Sequence, residues 1–279
     1  KTLGQHAAHV KAKTIHAFCT ELLREMGPRV GLASGFGIAD EAYQRIVLRR
    51  LGVPPQWHGK FFTRLATHRF RDGQLHPKDV RVVESYEQFL AERNVVDFDT
   101  LLLKTAQLLA DTGTVRSLRA RWDCILIDEF QDLNPVQYAV IRDLGRDHRH
   151  VFAVGDDEQS IYSWAGADPR VFLDFLNDFG VTIKIPLREN RRCPRQVVTL
   201  ARHLVAINTP IFPERKELLV DRDSAFPVSA LTFATENEEI AWIVAERSGH
   251  AEQIEPYADE GVFLDPCHCD SVCPDALVQ

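Results

Sequence analysis

No stretch of the 279-residue sequence approaches the roughly 18 unbroken apolar residues that a membrane-spanning helix requires. The segment Lys1 to Val10 carries no apolar run of the kind that opens a secretory signal, so a cytoplasmic location is the default expectation. Internal repeats and low-complexity tracts are missing too. With 45% hydrophobic and 26% charged residues, the composition excludes a disordered polymer or a collagen-like repeat and suits one large or two modest domains. The cysteines make no disulfide framework, because Cys19, Cys124 and Cys193 are scattered singly through segments that read as ordinary core. Cys267, Cys269 and Cys273 do cluster. Together with His268 they leave two readings open, a metal site or an irregular tail with free thiols, and no second ligand pair accompanies them.

Positive charge is in short supply overall. The 33 Lys and Arg face 40 Asp and Glu, for a net charge of −7, a balance that by itself argues against a nucleic-acid partner. The total hides a split, since residues 1–71 hold 12 basic against four acidic side chains, a net of +8, and the remainder nets −15. From Arg45 to Arg71 there are seven Lys or Arg and no Asp or Glu, with Trp57, Phe61, Phe62 and Phe70 interleaved. Such a stretch either neutralises phosphates or presents one solvated basic face over an aromatic core, and both readings can hold together.

Ile15, Phe18, Cys19, Leu22, Leu23 and Met26 recur at helical spacing until Gly27-Pro28 stops the pattern. Residues 40–51, 57–70 and 77–92 read as three more helices, which makes the block all-helical. Asp97 is placed to cap a helix running through Leu109. Beyond it the period changes. Short β-rich runs at 124–127, 151–154, 181–185 and 228–233 occur among helix-like stretches at 134–144, 169–178 and 194–206. This alternation predicts an α/β fold with a parallel sheet covered on both faces and a ligand at the C-terminal ends of its strands.

The chemistry gathers at those ends. In Ile125-Leu126-Ile127-Asp128-Glu129-Phe130-Gln131-Asp132 an apolar strand ends in adjacent carboxylates, the first able to hold hydrated Mg2+ and the second to orient and deprotonate a water. That is a Walker-B arrangement, and on these residues alone a strand running into a polar loop explains it equally well. A second strand, Val151 to Val154, runs into Gly155-Asp156-Asp157-Glu158-Gln159-Ser160-Ile161-Tyr162-Ser163-Trp164.

Taken together, these segments resemble motifs II and III of the UvrD/Rep/PcrA branch of superfamily 1 DNA helicases. Thr14-Ile15-His16-Ala17-Phe18 is similar to that family's Thr-x-His-x-Phe motif, Asp97-Phe98-Asp99-Thr100-Leu101-Leu102 to its Asp-Phe helix start, and Leu187-Arg188-Glu189-Asn190-Arg191-Arg192-Cys193-Pro194 to its Leu-x-x-Asn-Tyr-Arg-x-Pro motif. The matches stand in the family's order over residues 14–194. Superfamily 2 would show Ser-Ala-Thr in place of Gly155-Asp156-Asp157.

The resemblance implies a RecA-like, P-loop NTPase-type parallel sheet with an inserted all-helical subdomain. Residues 1–24 and 93–236 would be an incomplete motor subdomain 1A, 25–92 the insertion 1B, and 237–279 the start of a next subdomain or an irregular tail. It further implies an ATP-dependent 3'-5' DNA helicase or translocase using ATP and Mg2+, with single-stranded DNA and single-strand/double-strand junctions as partners, beside accessory DNA-repair proteins. Asp128 would coordinate Mg2+ and Glu129 would be the general base. Gln159 would sense the γ-phosphate, Arg192 would stabilise its charge, and Arg191 would lie against the nucleotide base. Thr14 and His16 would contact the DNA backbone and Trp164 would stack on a base. Without the family context, Trp164 reads as core, Arg192 as an ion-pair partner and His16 as a cap for a buried polar group.

Three departures stand out. No Gly-Lys-Thr phosphate loop occurs, Ala165 stands where the family has Arg, and Arg191 replaces a Tyr that would stack on adenine. The chain therefore reads as an internal piece that would not unwind DNA alone. A catalytically inactive DNA-binding or protein-interaction remnant is the competing expectation.

Overall fold

The computed structural model describes residues 10–247 apart from 72, 149, 164–165, 182, 213–217, 221, 224–227 and 230. Trp164, Ala165 and the Cys267, Cys269 and Cys273 cluster lie outside the described residues. The chain divides into two units, residues 1–184 with 210–213, and residues 185–209 with 214–279.

The first unit opens with α1 (Ile15–Met26), capped by Thr14, whose side chain accepts from Ala17 N. A strand β1 (Gly37–Ala39) follows, then α2 (Glu41–Arg50), α3 (His58–Arg71) and α4 (Pro77–Glu92). The chain continues into β2 (Val95–Asp97) and, capped by Asp97, α5 (Phe98–Leu109). Next come α6 (Thr112–Arg119), β3 (Ile125–Ile127), α7 (Pro135–Gly145), β4 (Val151–Ala153) and α8 (Val171–Asp178). The second unit contains β5 (Glu189–Asn190), α9 (Arg195–Val205), β6 (Leu219–Val220) and α10 (Glu236–Arg247).

Two expectations need correction. Residues 25–92 are not all-helical, because β1 runs parallel to β2, with Gly37 opposite Val95. A three-residue strand is too short to display a period, and its partner comes only after three helices. Among the described residues the strands also form no single covered sheet. β1–β2, β3–β4 and β5–β6 are separate parallel pairs, and on β3–β4 the opposed Leu126 and Phe152 are 71% and 53% exposed. The described residues of 181–185 form no strand, and those of 228–233 contribute only an isolated bridge position at Thr232. Among the described residues these runs join no strand ladder, and pairing rather than propensity makes a sheet.

Packing in the first unit joins distant segments. Cys19 and Leu22 of α1, Leu102 and Leu109 of α5, and Val140 and Leu144 of α7 share one core. Val47, Leu48, Phe61, Leu65, Val83, Tyr86 and Leu90 form another between α2, α3 and α4. Phe130, Leu133, Tyr138, Ile141, Val171 and Phe175 form a third, directly beneath the loop after β3.

Candidate active site

The loop leaving β3 is pinned to β4 by the strand ladder. Val154 N donates to Ile127 O at 2.8 Å, and Phe130 N donates to Val154 O at 2.9 Å. The Phe130 ring is fully buried against Phe172 and Phe175, which anchors the turn and leaves the two residues before it, Asp128 and Glu129, exposed at the strand's C-terminal end. Glu129 sits in the left-handed region at φ 49°, ψ 46°, a conformation that costs free energy outside Gly and Asn and that gathers at functional turns. Its N–H donates to Asp128 Oδ1 at 2.9 Å.

Gln131 joins this loop to the one after β4. Its Nε2 donates to Glu129 Oε2 at 2.7 Å, and its Oε1 accepts the N–H of Asp156 at 3.0 Å. Ser160 Oγ donates to the Gln131 carbonyl at 3.3 Å. Asp156 then organises its own turn, accepting from Glu158 N at 3.2 Å and, through Oδ2, from Gln159 Nε2 at 3.1 Å, while Gln159 N donates to the Asp156 carbonyl at 2.9 Å. Asp128, Glu129, Asp156 and Gln159 thus belong to one hydrogen-bonded group. Behind them, burial and then the neighbouring Glu129 charge raise the Asp132 carboxyl above the ordinary range, and its Oδ1 is buried without a hydrogen-bond partner.

Among the described residues no three His, Cys, Asp or Glu are gathered as a closed metal cage. Mg2+ does not need one, since it retains several waters and binds through one or two carboxylates together with substrate phosphates. The hard oxygen donors of exposed Asp128 and its neighbour Glu129 fit that ion.

Thr14 and His16 meet at the start of α1. The exposed Thr14 uses its Oγ1 to accept from Ala17 N at 3.3 Å, which leaves its hydroxyl proton to donate outward. His16 is half-buried, edge-on to Phe98 at 5.4 Å, and burial lowers its pKa, which favours the neutral imidazole. It therefore offers a neutral hydrogen-bonding ring rather than a cation.

Residues 1–180 match the UvrD/REP helicase N-terminal domain. The chain belongs to this family. DNA helicase II of Haemophilus influenzae is 29% identical over 287 residues, covering 95% of this chain and 38% of the relative. ATP-dependent DNA helicase Rep of Buchnera aphidicola is 27% identical over 270 residues, covering 89% and 40%. ATP-dependent DNA helicase PcrA of Staphylococcus epidermidis is 25% identical over 279 residues, covering 94% and 38%. The chain spans about two fifths of the length of these curated relatives.

In this UvrD/REP-family chain, Arg191 and Arg192 fall in the second unit. Both are exposed; the Asn190 side chain accepts from Arg192 N at 3.1 Å and Cys193 N at 2.8 Å, and Arg191 pairs with Glu189. The basic stretch is less uniform than its sequence. Arg45 pairs with Glu41 and Arg64 with Asp79, and Arg69 turns inward. Phe61 and Phe70 are core, while Trp57 stays exposed with Lys60 Nζ 4.7 Å from its ring centre. Sequence reasoning passed over Gln131. The signal available to it was an amide two residues after the acidic pair, beside a strand rich enough in apolar residues to bury it.

Proposed function

We propose that the chain is the RecA-like first motor domain, residues 1–24 and 93–236, with its inserted subdomain 1B, residues 25–92, of an ATP-dependent 3'-5' DNA helicase or translocase. The observation that carries this reading is the exposed Asp128-Glu129 pair tied through Gln131 to the Asp156-Gln159 turn, which puts a metal-binding carboxylate, a base and a polar amide on one hydrogen-bonded scaffold. Bound Mg2+ would neutralise phosphate charge, with Asp128 holding it. Glu129, exposed at the end of β3 with its carboxylate held by Gln131, orients and deprotonates the attacking water. Gln159 reads the γ-phosphate through its amide. Arg192 supplies positive charge to the transferring group and Arg191 lies against the base, roles carried over from the motif that contains them.

For DNA, the Thr14 hydroxyl and neutral His16 donate to the backbone of the single strand, Trp164 stacks on a base, and the exposed basic side chains of α2 and α3 meet the duplex side of a junction. The test is single-stranded-DNA-stimulated ATP hydrolysis by the full-length gene product. Glu129→Gln is expected to lower kcat by at least about 100-fold while nucleotide binding persists. Single-stranded-DNA binding with no nucleotide affinity would instead identify an inactive DNA-binding remnant.

A further inference from the structure

Gln131 is 2% exposed, and every polar atom of its side chain is engaged. Its amide orientation follows from its partners. The Asp156 N–H can only donate, so Oε1 must face it, and Nε2 is then left to donate to the Glu129 carboxylate. Neither Glu nor Met can make both bonds. The contact is also sterically fitted. A Cβ on Gly155 would lie 2.7 Å from Gln131 Oε1, 2.9 Å from Phe172 Cζ and 3.0 Å from Phe130 Cβ. The glycine before Asp156 is therefore what lets the two loops approach closely enough for the amide to span them.

We propose that Gln131 is a positioning residue that couples the two loops, holding the Glu129 carboxylate in register with the Asp156 turn that carries Gln159. This rests on the motor reading above. Any movement of the Gln159 turn on meeting a γ-phosphate reaches Glu129 through one rigid amide, so the base is aligned when nucleotide is present. The bond also fixes the Glu129 carboxylate through a donor that carries no charge of its own.

The test uses the full-length gene product with ATP, Mg2+ and a single-stranded oligonucleotide. Gln131→Met keeps the volume and removes both bonds, and it is expected to lower kcat about 10- to 100-fold with KM for ATP changed less than about twofold. Gln131→Glu keeps an acceptor for Asp156 but sets a second carboxylate against Glu129. Gln131→Glu is therefore expected to lower kcat at least as far as Gln131→Met, again with KM for ATP changed less than about twofold. A purely structural residue would lower kcat and raise KM together, in step with lost thermal stability. A loss of kcat that tracks lost thermal stability, or an undiminished kcat in Gln131→Met, overturns the inference while the unsubstituted enzyme's hydrolysis leaves the motor reading standing. No hydrolysis by the unsubstituted protein overturns both.

Discussion

Arg69 lies in a stretch that looks made for phosphate, yet its side chain is 5% exposed. The guanidinium donates to Asp97 Oδ2 and to Glu87 Oε1, each at 2.9 Å, and lies 3.5 Å from Asp99 Oδ2. Tyr86 adds a donor to the same Asp97 oxygen at 3.1 Å, and the other Asp97 oxygen accepts Thr100 N at 2.8 Å to cap α5. Burial works against an ionised Asp97, but Arg69 and the Thr100 bonds outweigh it and hold the pKa below the usual carboxylate range. Asp99 fares differently. Burial pushes it up to about 6, against the pull of Arg69 and with the repulsion of Asp97 behind it. A carboxyl raised in the folded state binds its proton more tightly there than in the unfolded chain. Its contribution to stability is therefore full below its unfolded value and is lost as the pH rises through about 6. Asp99→Asn is expected to remove that loss, leaving thermal stability flatter between pH 4 and 7 by on the order of 1–2 kcal/mol. Parallel melting profiles for the two proteins would show that Asp99 is not strained in the fold.

At the scale of elements, the helices were legible because their signals are local. The apolar spacing of α1, the Asp97 cap of α5 and the Gly-Pro and Asp-Gly breaks each lie within a few residues of the boundary they set. α6 escaped notice because Asp111-Thr112-Gly113-Thr114 reads as loop, although Asp111 caps it by accepting from Thr114 N at 2.8 Å. Which cations of α2 and α3 stay free was equally illegible. It depends on Glu41, Asp79 and Asp97, of which Glu41 alone shares a helix with its partner. Arg49 and Arg50, at the end of α2, are exposed and in no ion pair among the described residues. Reversing both to Glu is expected to flatten the log–log salt dependence of junction-DNA binding by about 1.8. An unmoved slope would mean that this end of α2 is merely solvated.

Across the whole molecule, the acidic total of −7 combines a basic N-terminal quarter with a carboxylate-rich remainder that includes Asp128, Glu129, Asp156 and Asp157. Burial is just as uneven. The apolar clusters of the described residues lie in the first unit, whereas Val198 is the one buried hydrophobic among the described residues of the second, where Leu204 of α9 is 70% exposed. Amide exchange is expected to follow this, with α9 exchanging at least about tenfold faster than α5 and α7. Equal protection would require a core in the second unit that its exposed leucines do not supply.

The family, the helices and the acidic ends of β3 and β4 were written in the sequence itself, because motifs, caps and apolar periods are relations between residues close in the chain. Tertiary structure alone decided that Gln131 bridges to Asp156, that Arg69 belongs to the core and not to a phosphate, and that β1 pairs with β2. Each of these joins segments 25 or more residues apart, where partner choice depends on how the intervening chain packs and which polar groups burial obliges to find one another.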